Sequence, residues 1–148
     1  MEDRPAILRS LLEERTVDIV TVGRRSGVTR VTEIWTTVVG GEAYVCGTPN
    51  AGKPGVERQP RDWLANLMAT PEFTVRLKNA VHVDLPARAE PVGDPGERLR
   101  VLTAPITEYY RKAVSLEAAL AHSPMVRVQF TGDAAWLGEA VRQERPDG

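Results

Sequence analysis

One cysteine and two histidines are the whole thiol and imidazole content of this 148-residue chain. Cys46 alone excludes an intrachain disulfide and a cysteine-built metal cluster. His82 and His122 lie too far apart in sequence to form a local metal-binding pair. Aromatic residues are also scarce, at 5% of the chain, which argues against a stacking platform for single-stranded nucleic acid. Positive and negative side chains nearly cancel, 19 against 20, so no nucleic-acid partner is expected and any cationic site must be local. No apolar run approaches the ~20 residues that cross a bilayer, so no integral membrane segment is expected. The opening "MEDRPAILRSLLEER" lacks the continuous apolar core of a secretion signal, which makes the cytoplasm the expected compartment. Hydrolytic chemistry is poorly served as well. Ser26 and Ser123 sit in no nucleophile-elbow context, and no carboxylate pair recommends itself.

What remains is an ordinary globular composition, 42% apolar and 26% charged. It is expected to form a single domain over 1–148, with an N-terminal helix in 1–15 and a flexible tail at 141–148. Ile7, Leu8, Leu11 and Leu12 recur at helical spacing within Arg4–Arg15. "TVDIVTV" is a β-branched strand ending at Gly23, and "RVTEIWTTVVGGEAYVCG" reads as two strands joined by a tight Gly40–Gly41 turn. Asn50–Pro60 is a Gly- and Pro-rich loop leading into "RDWLANLMATP", where Trp63, Leu64, Leu67 and Met68 share a helical face. Phe73, Val75 and Leu77 alternate with polar residues, as do Val81, Val83 and Leu85. A loop of Lys78–Ala80 sets Leu77 opposite Val81 and Val75 opposite Val83, giving one apolar face. His82 then shares the polar face with Asp84 and Arg76, as a surface pair. Asp94, Pro95 and Glu97 form the start of a helix with a capping box. A second helical stretch covers Ile106–Ala121, and "MVRVQFTG" is the last strand. Six strands joined largely by hairpins imply a mainly β, α+β fold, a six-stranded antiparallel split or closed barrel.

Within that frame "GRRSGVTR", Gly23–Arg30, carries more cations than a turn requires. Arg24, Arg25 and Arg30 offer forked hydrogen bonds to phosphate or carboxylate oxygens, Ser26 adds a hydroxyl, and Gly23 and Gly27 permit close backbone approach. Taken alone, the turn reads first as a solvated hairpin. The strand exit "CGTPN", with Gly47, Thr48, Pro49 and Asn50, can present backbone amides to a flat ring or simply end a strand. In "RDWLANL", Arg61, Trp63 and Asn66 can face a ligand, or serve as core and helix-end residues. Trp35 can pack in the barrel or face a ring. Tyr109 and Tyr110 can line a substrate pocket, donate a proton, or pack with their hydroxyls in water.

Gly23-Arg24-Arg25-Ser26-Gly27-Val28-Thr29-Arg30 after a first strand, followed by Trp63-Leu64-Ala65-Asn66-Leu67-Met68-Ala69-Thr70-Pro71 before a fourth, resembles the deazaflavin-dependent nitroreductases. These are actinobacterial split-barrel proteins that bind coenzyme F420, distantly related to the flavin-binding pyridoxamine phosphate oxidase group. The resemblance extends over about Val17–Leu102 and is looser in the last third. It implies that Arg24, Arg25, Ser26, Gly27 and Arg30 hold the cofactor's phosphate and acidic tail. It also sets Gly47–Asn50 against the deazaflavin ring, with Arg61, Trp63 and Asn66 beside it. Tyr109 and Tyr110, with Trp35, fall on the substrate side. The implied reaction is hydride transfer from reduced deazaflavin to a small hydrophobic, electron-poor acceptor: a quinone, an enone or a nitro compound. A tyrosine hydroxyl or water would protonate the product. The link Asn50–Pro60 is longer than is usual in that family. Use of FMN or haem in the same fold, a barrel that only binds ligand, and a non-redox barrel of a biosynthetic pathway are the rival readings. The working unit is expected to be a monomer or homodimer.

Overall fold

In β1 (Thr16–Val22) alternate side chains are buried, as a strand with one face on a core requires, and Val17, Ile19 and Thr21 carry that face. The computed structural model describes residues 3–47, 62–108 and 115–144. β1 pairs with β2 (Thr29–Val39), β2 with β3 (Glu42–Cys46), β3 with β6 (Met125–Phe130), β6 with β5 (Val83–Pro91) and β5 with β4 (Glu72–Leu77). β4 returns to β1, so the six strands close into a barrel, antiparallel at every seam. Closure leaves the barrel of described strands without a free edge strand. Gly40 and Gly41 make the expected two-residue turn, both at positive φ, between the paired Val39 and Glu42.

Around the sheet lie five α-helices among the described residues: α1 (Arg4–Glu13), α2 (Asp62–Ala69), α3 (Pro95–Thr103), α4 (Leu116–His122) and α5 (Ala135–Gln143). Ile19, Val45, Val75, Leu77, Leu85 and Val126 fill the main core, together with Ile7 and Leu11 of α1 and Leu137 and Val141 of α5. Each buried leucine contributes about 1.5–3 kcal/mol relative to exposure. A second, outer core includes Tyr44, Cys46, Val101, Leu102, Ala119 and Met125, so β3 is buried on both faces.

Several expectations are revised. The β4–β5 hairpin pairs Leu77 with Val83 and Val75 with Leu85, two residues along from the expected register. A shift of two preserves which side chains face inward, so the hydrophobic pattern is indifferent to it. The longer loop is held instead by Glu14, whose carboxylate accepts from Asn79 Nδ2 and the Ala80 amide, both at 3.1 Å. Asp84 pairs with Arg76 at 2.8 Å, where a His82–Asp84 pair was expected. Asp94 caps α3 by accepting from the Glu97 amide at 2.8 Å, but the Glu97 carboxylate turns to Tyr44 and Arg127 rather than completing a capping box. Pro105–Thr107 is a single 3-10 turn and α4 begins only at Leu116, so the described ends of the expected Ile106–Ala121 helix are not one continuous element. At the other end, α5 runs through Gln143 with Val141 buried, so helix occupies 141–143 of the expected tail.

Candidate functional site

The β1–β2 connection spans Gly23–Val28 and is closed by its own hydrogen bonds. The Gly23 amide donates to Val28 O and the Gly27 amide to Gly23 O, both at 2.8 Å. The Val28 amide donates to Ser26 Oγ at 3.1 Å. Gly27 has φ +72°, a conformation that glycine adopts without strain. Gly23 is required for another reason: a Cβ there would lie 2.7 Å from Ser26 Oγ and 3.1 Å from Val28 O. Both glycines are thus explained by the turn's own geometry, and Ser26 Oγ retains its proton for an outside acceptor.

α2 packs beside this turn. Trp63, Asn66 and Leu67 form its buried face, whereas Met68, expected on that face, is 67% exposed. Asn66 Oδ1 accepts from the Arg24 amide at 3.0 Å, and its Nδ2 donates to Thr21 Oγ1 at 3.4 Å. The two motifs separated in sequence therefore meet in space. Between them is a cavity of about 360 Å³, lined by Gly23, Arg24, Arg25, Ser26 and Arg30 of the turn and its exit, Val31 and Thr32 of β2, and Trp63 and Asn66 of α2. Among the described residues, no carboxylate pairs with Arg24, Arg25 or Arg30, and no acid, histidine or thiol lines the cavity. Val28 and Val31 are 58% and 57% exposed, giving the cationic turn an apolar margin.

Gly47 joins the arrangement from β3. Its amide donates to Pro124 O at 2.9 Å, and an added Cβ would meet the Trp63 ring at 3.1 Å. Trp35 packs against the outer core formed by Tyr44, Cys46, Val101 and Met125 and is not among the described residues that line this cavity. Thr48, Pro49, Asn50, Arg61, Tyr109 and Tyr110 lie outside the described residues, as do the loop Asn50–Pro60 and residues 145–148.

Sequence reasoning missed Thr21, Val31 and Thr32 at this site. Thr21 had one available signal, a polar residue on the buried phase of an apolar strand. It also missed a polar network in the outer layer, where Tyr44 Oη donates to Glu97 at 2.7 Å and Arg127 holds the same carboxylate at 2.6 and 2.7 Å. Burial, reinforced by Glu97, raises the Tyr44 hydroxyl above its ordinary pKa, while the Arg127 guanidinium holds Glu97 below the usual carboxylate range. Burial pushes the Cys46 thiol up to about 12, so it is a packing residue rather than a nucleophile.

The closed barrel, with an arginine turn facing a Trp/Asn helix, has the fold of the split-barrel, flavin-reductase-like proteins. A FAD-binding protein from Mesorhizobium loti superposes with a TM-score of 0.62 at 14% identity, over 88% of this chain and 91% of that one. A haem storage protein from Vibrio cholerae does so at 0.54 and 13%, over 89% and 92%. A conserved hypothetical protein from Mycobacterium tuberculosis gives 0.58 and 19%, over 86% and 79%. Residues 9–120 match the F420H(2)-dependent quinone reductase family, and the chain belongs to that family. It is an F420-dependent oxidoreductase. No curated protein matches it.

Proposed function

We propose that the cavity between the arginine turn and α2 receives the phosphate and acidic tail of coenzyme F420, and that the acceptor reduced is a quinone. The observation that carries this reading is that Arg24, Arg25 and Arg30 gather around one cavity with no carboxylate partner among the described residues. Cations on the adjoining strands behave differently: Lys78 is engaged by Asp18 and Glu33, and Arg76 by Asp84. Arginines without an internal carboxylate keep their forked donors for an external anion. Ser26 Oγ–H adds a neutral donor. These groups fit a polyanionic tail, and the absence of a carboxylate in the described lining removes the main source of repulsion.

The same lining offers no group suited to general acid–base catalysis at neutral pH, so the chain's contribution there is anchoring and orientation. When bound, the reduced cofactor supplies the hydride. Trp63, Val28 and Val31 provide aromatic and apolar surface for a flat ring and a hydrophobic acceptor. The proposal includes Gly47, Thr48, Pro49, Asn50 and Arg61 on the ring side, and Trp35, Tyr109 and Tyr110 on the acceptor side, a tyrosine Oη donating the proton. Nitro compounds and enones are electron-poor acceptors of the same kind and belong in the same screen.

The test is equilibrium binding of F420 with FMN as competitor, at low and high salt. Tight, salt-sensitive binding of F420 that is lost in the Arg24→Ala/Arg25→Ala double variant supports the assignment. Preference for FMN would move the cavity to flavin, and binding of neither would return the turn to plain surface. Steady-state turnover then ranks quinones against nitro compounds and enones. Unchanged turnover in both Tyr109→Phe and Tyr110→Phe would remove the tyrosines from the reaction.

A further inference from the structure

We propose that Asn66 is a positioning residue: its side chain sets the arginine turn in its anion-binding conformation and makes no contact with the anion itself. The inference rests on the reading of the cavity given above, and it reassigns Asn66 from ligand contact to support.

A count of donors in the turn carries the argument. The amides of Gly23, Gly27 and Val28 are satisfied within the turn. The Arg24 amide is not; its acceptor is Asn66 Oδ1, 42 positions away. The turn's own bonds close it and the β1–β2 ladder carries it up to Val22 and Thr29, but neither fixes it against α2. That tie comes through Arg24, the first of the clustered arginines, whose amide is bonded to Asn66. Asn66 is itself immobilised. It is 5% exposed, and its Nδ2 donates to Thr21, which is 1% exposed and sits on the strand that feeds the turn. One amide side chain thus braces the end of β1, the arginine turn and α2 together. With its oxygen and one of its two amide hydrogens engaged by protein, Asn66 is better placed to hold the clamp than to form part of it. Forked guanidinium recognition depends on how the planar donors are set against the anion's oxygens.

Two measurements on the full chain test this. The first is binding of F420, and of the same deazaflavin with its ribityl chain but without phosphate or acidic tail, to the wild type and to Asn66→Ala. The expected result is a loss of at least about tenfold for F420, the scale of one weakened charge-assisted hydrogen bond, a shallower salt dependence, and unchanged affinity for the tail-less compound. Equal losses for both ligands would make Asn66 a general support of the fold, and no loss for either would remove its role; both overturn the inference. If Asn66→Ala does not fold, Thr21→Val carries the same comparison with the same two outcomes.

The second measurement is amide exchange in the ligand-free protein. Arg24 should lose protection in Asn66→Ala while Gly27 keeps it, and Asn66→Asp, which preserves the acceptor, should leave Arg24 protected. Unaltered Arg24 exchange in Asn66→Ala would overturn the inference. Failure of the wild type to bind F420 would sink the cofactor assignment and leave the exchange result to decide the role of Asn66.

Discussion

The hydroxyl of Tyr44 donates to the carboxylate of Glu97 across 2.7 Å, joining β3 to α3 beneath the outer layer of the barrel. Tyr44 is 0% exposed, and Arg127 grips the same carboxylate from β6. Tyr44→Phe removes the bond to Glu97 and the longer one accepted from Arg100 at 3.4 Å, while Glu97 keeps Arg127, and should cost about 1–2 kcal/mol. Glu97→Ala takes the shared partner from both Tyr44 and Arg127, leaving Arg127 with Glu90 at 2.7 Å, and should cost more, about 2–3 kcal/mol. Urea denaturation at neutral pH checks the order.

Acid should weaken the same network. Arg127, with help from Tyr44, holds the Glu97 carboxyl below its ordinary value of 4.5, so the unfolded chain takes up this proton first as pH falls. The resulting stability is fully present above about pH 4.5 and is lost as pH drops through the lower folded value. Glu97→Gln should be less stable than wild type at neutral pH, with a flatter decline below about pH 4.5 in a pH series of unfolding midpoints.

Arg98 is a buttress for α4. Its guanidinium donates to the carbonyls of Leu120, Ala119 and Ser123 at 3.2, 3.1 and 2.7 Å, and to Val92 O at 3.0 Å. The bonds to Leu120 and Ser123 satisfy carbonyls at the end of a helix only seven residues long, whereas Ala119 O also accepts from the Ser123 amide. Arg98→Ala should cost about 2–4 kcal/mol, and Arg98→Lys should recover little because a single ammonium cannot span the fork. Hydrogen exchange over Leu116–His122 should rise in both.

Cys46 should be silent towards a disulfide-exchange reagent in the native protein at pH 8. Its thiol is 5% exposed and raised to about 12, so the reactive thiolate is both scarce and covered. One equivalent should react after denaturation.

The turn glycines should separate stability from binding. Gly27→Ala meets no neighbour within 4 Å but must adopt φ +72°, which should cost about 1 kcal/mol. Gly23→Ala places a methyl against Ser26 Oγ and Val28 O, so it should also weaken salt-sensitive F420 binding. Thermal melts and cofactor titrations of the two variants distinguish the effects.

The strands were legible because burial on one face imposes a period of two, and the alternation in Thr16–Val22 and Glu72–Leu77 survives intact in the folded chain. The Gly40–Gly41 turn and the Asp94 cap were equally legible, since each is a local solution to a backbone requirement. Helix α5 was not, and neither was the burial of Asn66 in place of Met68 on α2. Both depend on what the rest of the barrel presents to them.

The amino-acid order by itself determined the six strands, their facing and the arginine-bearing turn, because these follow from contacts within a few residues and from the need to bury apolar side chains. Only the tertiary structure decided the offset of the β4–β5 hairpin, the partners of Glu97 and the bond from Asn66 to Arg24. A register shift of two leaves the hydrophobic pattern unchanged, so Glu14 had to choose. The meetings of Asn66 with Arg24 and of Tyr44 with Glu97 span 42 and 53 positions. No local preference encodes such distances; they arise when the sheet closes and its helices settle against it.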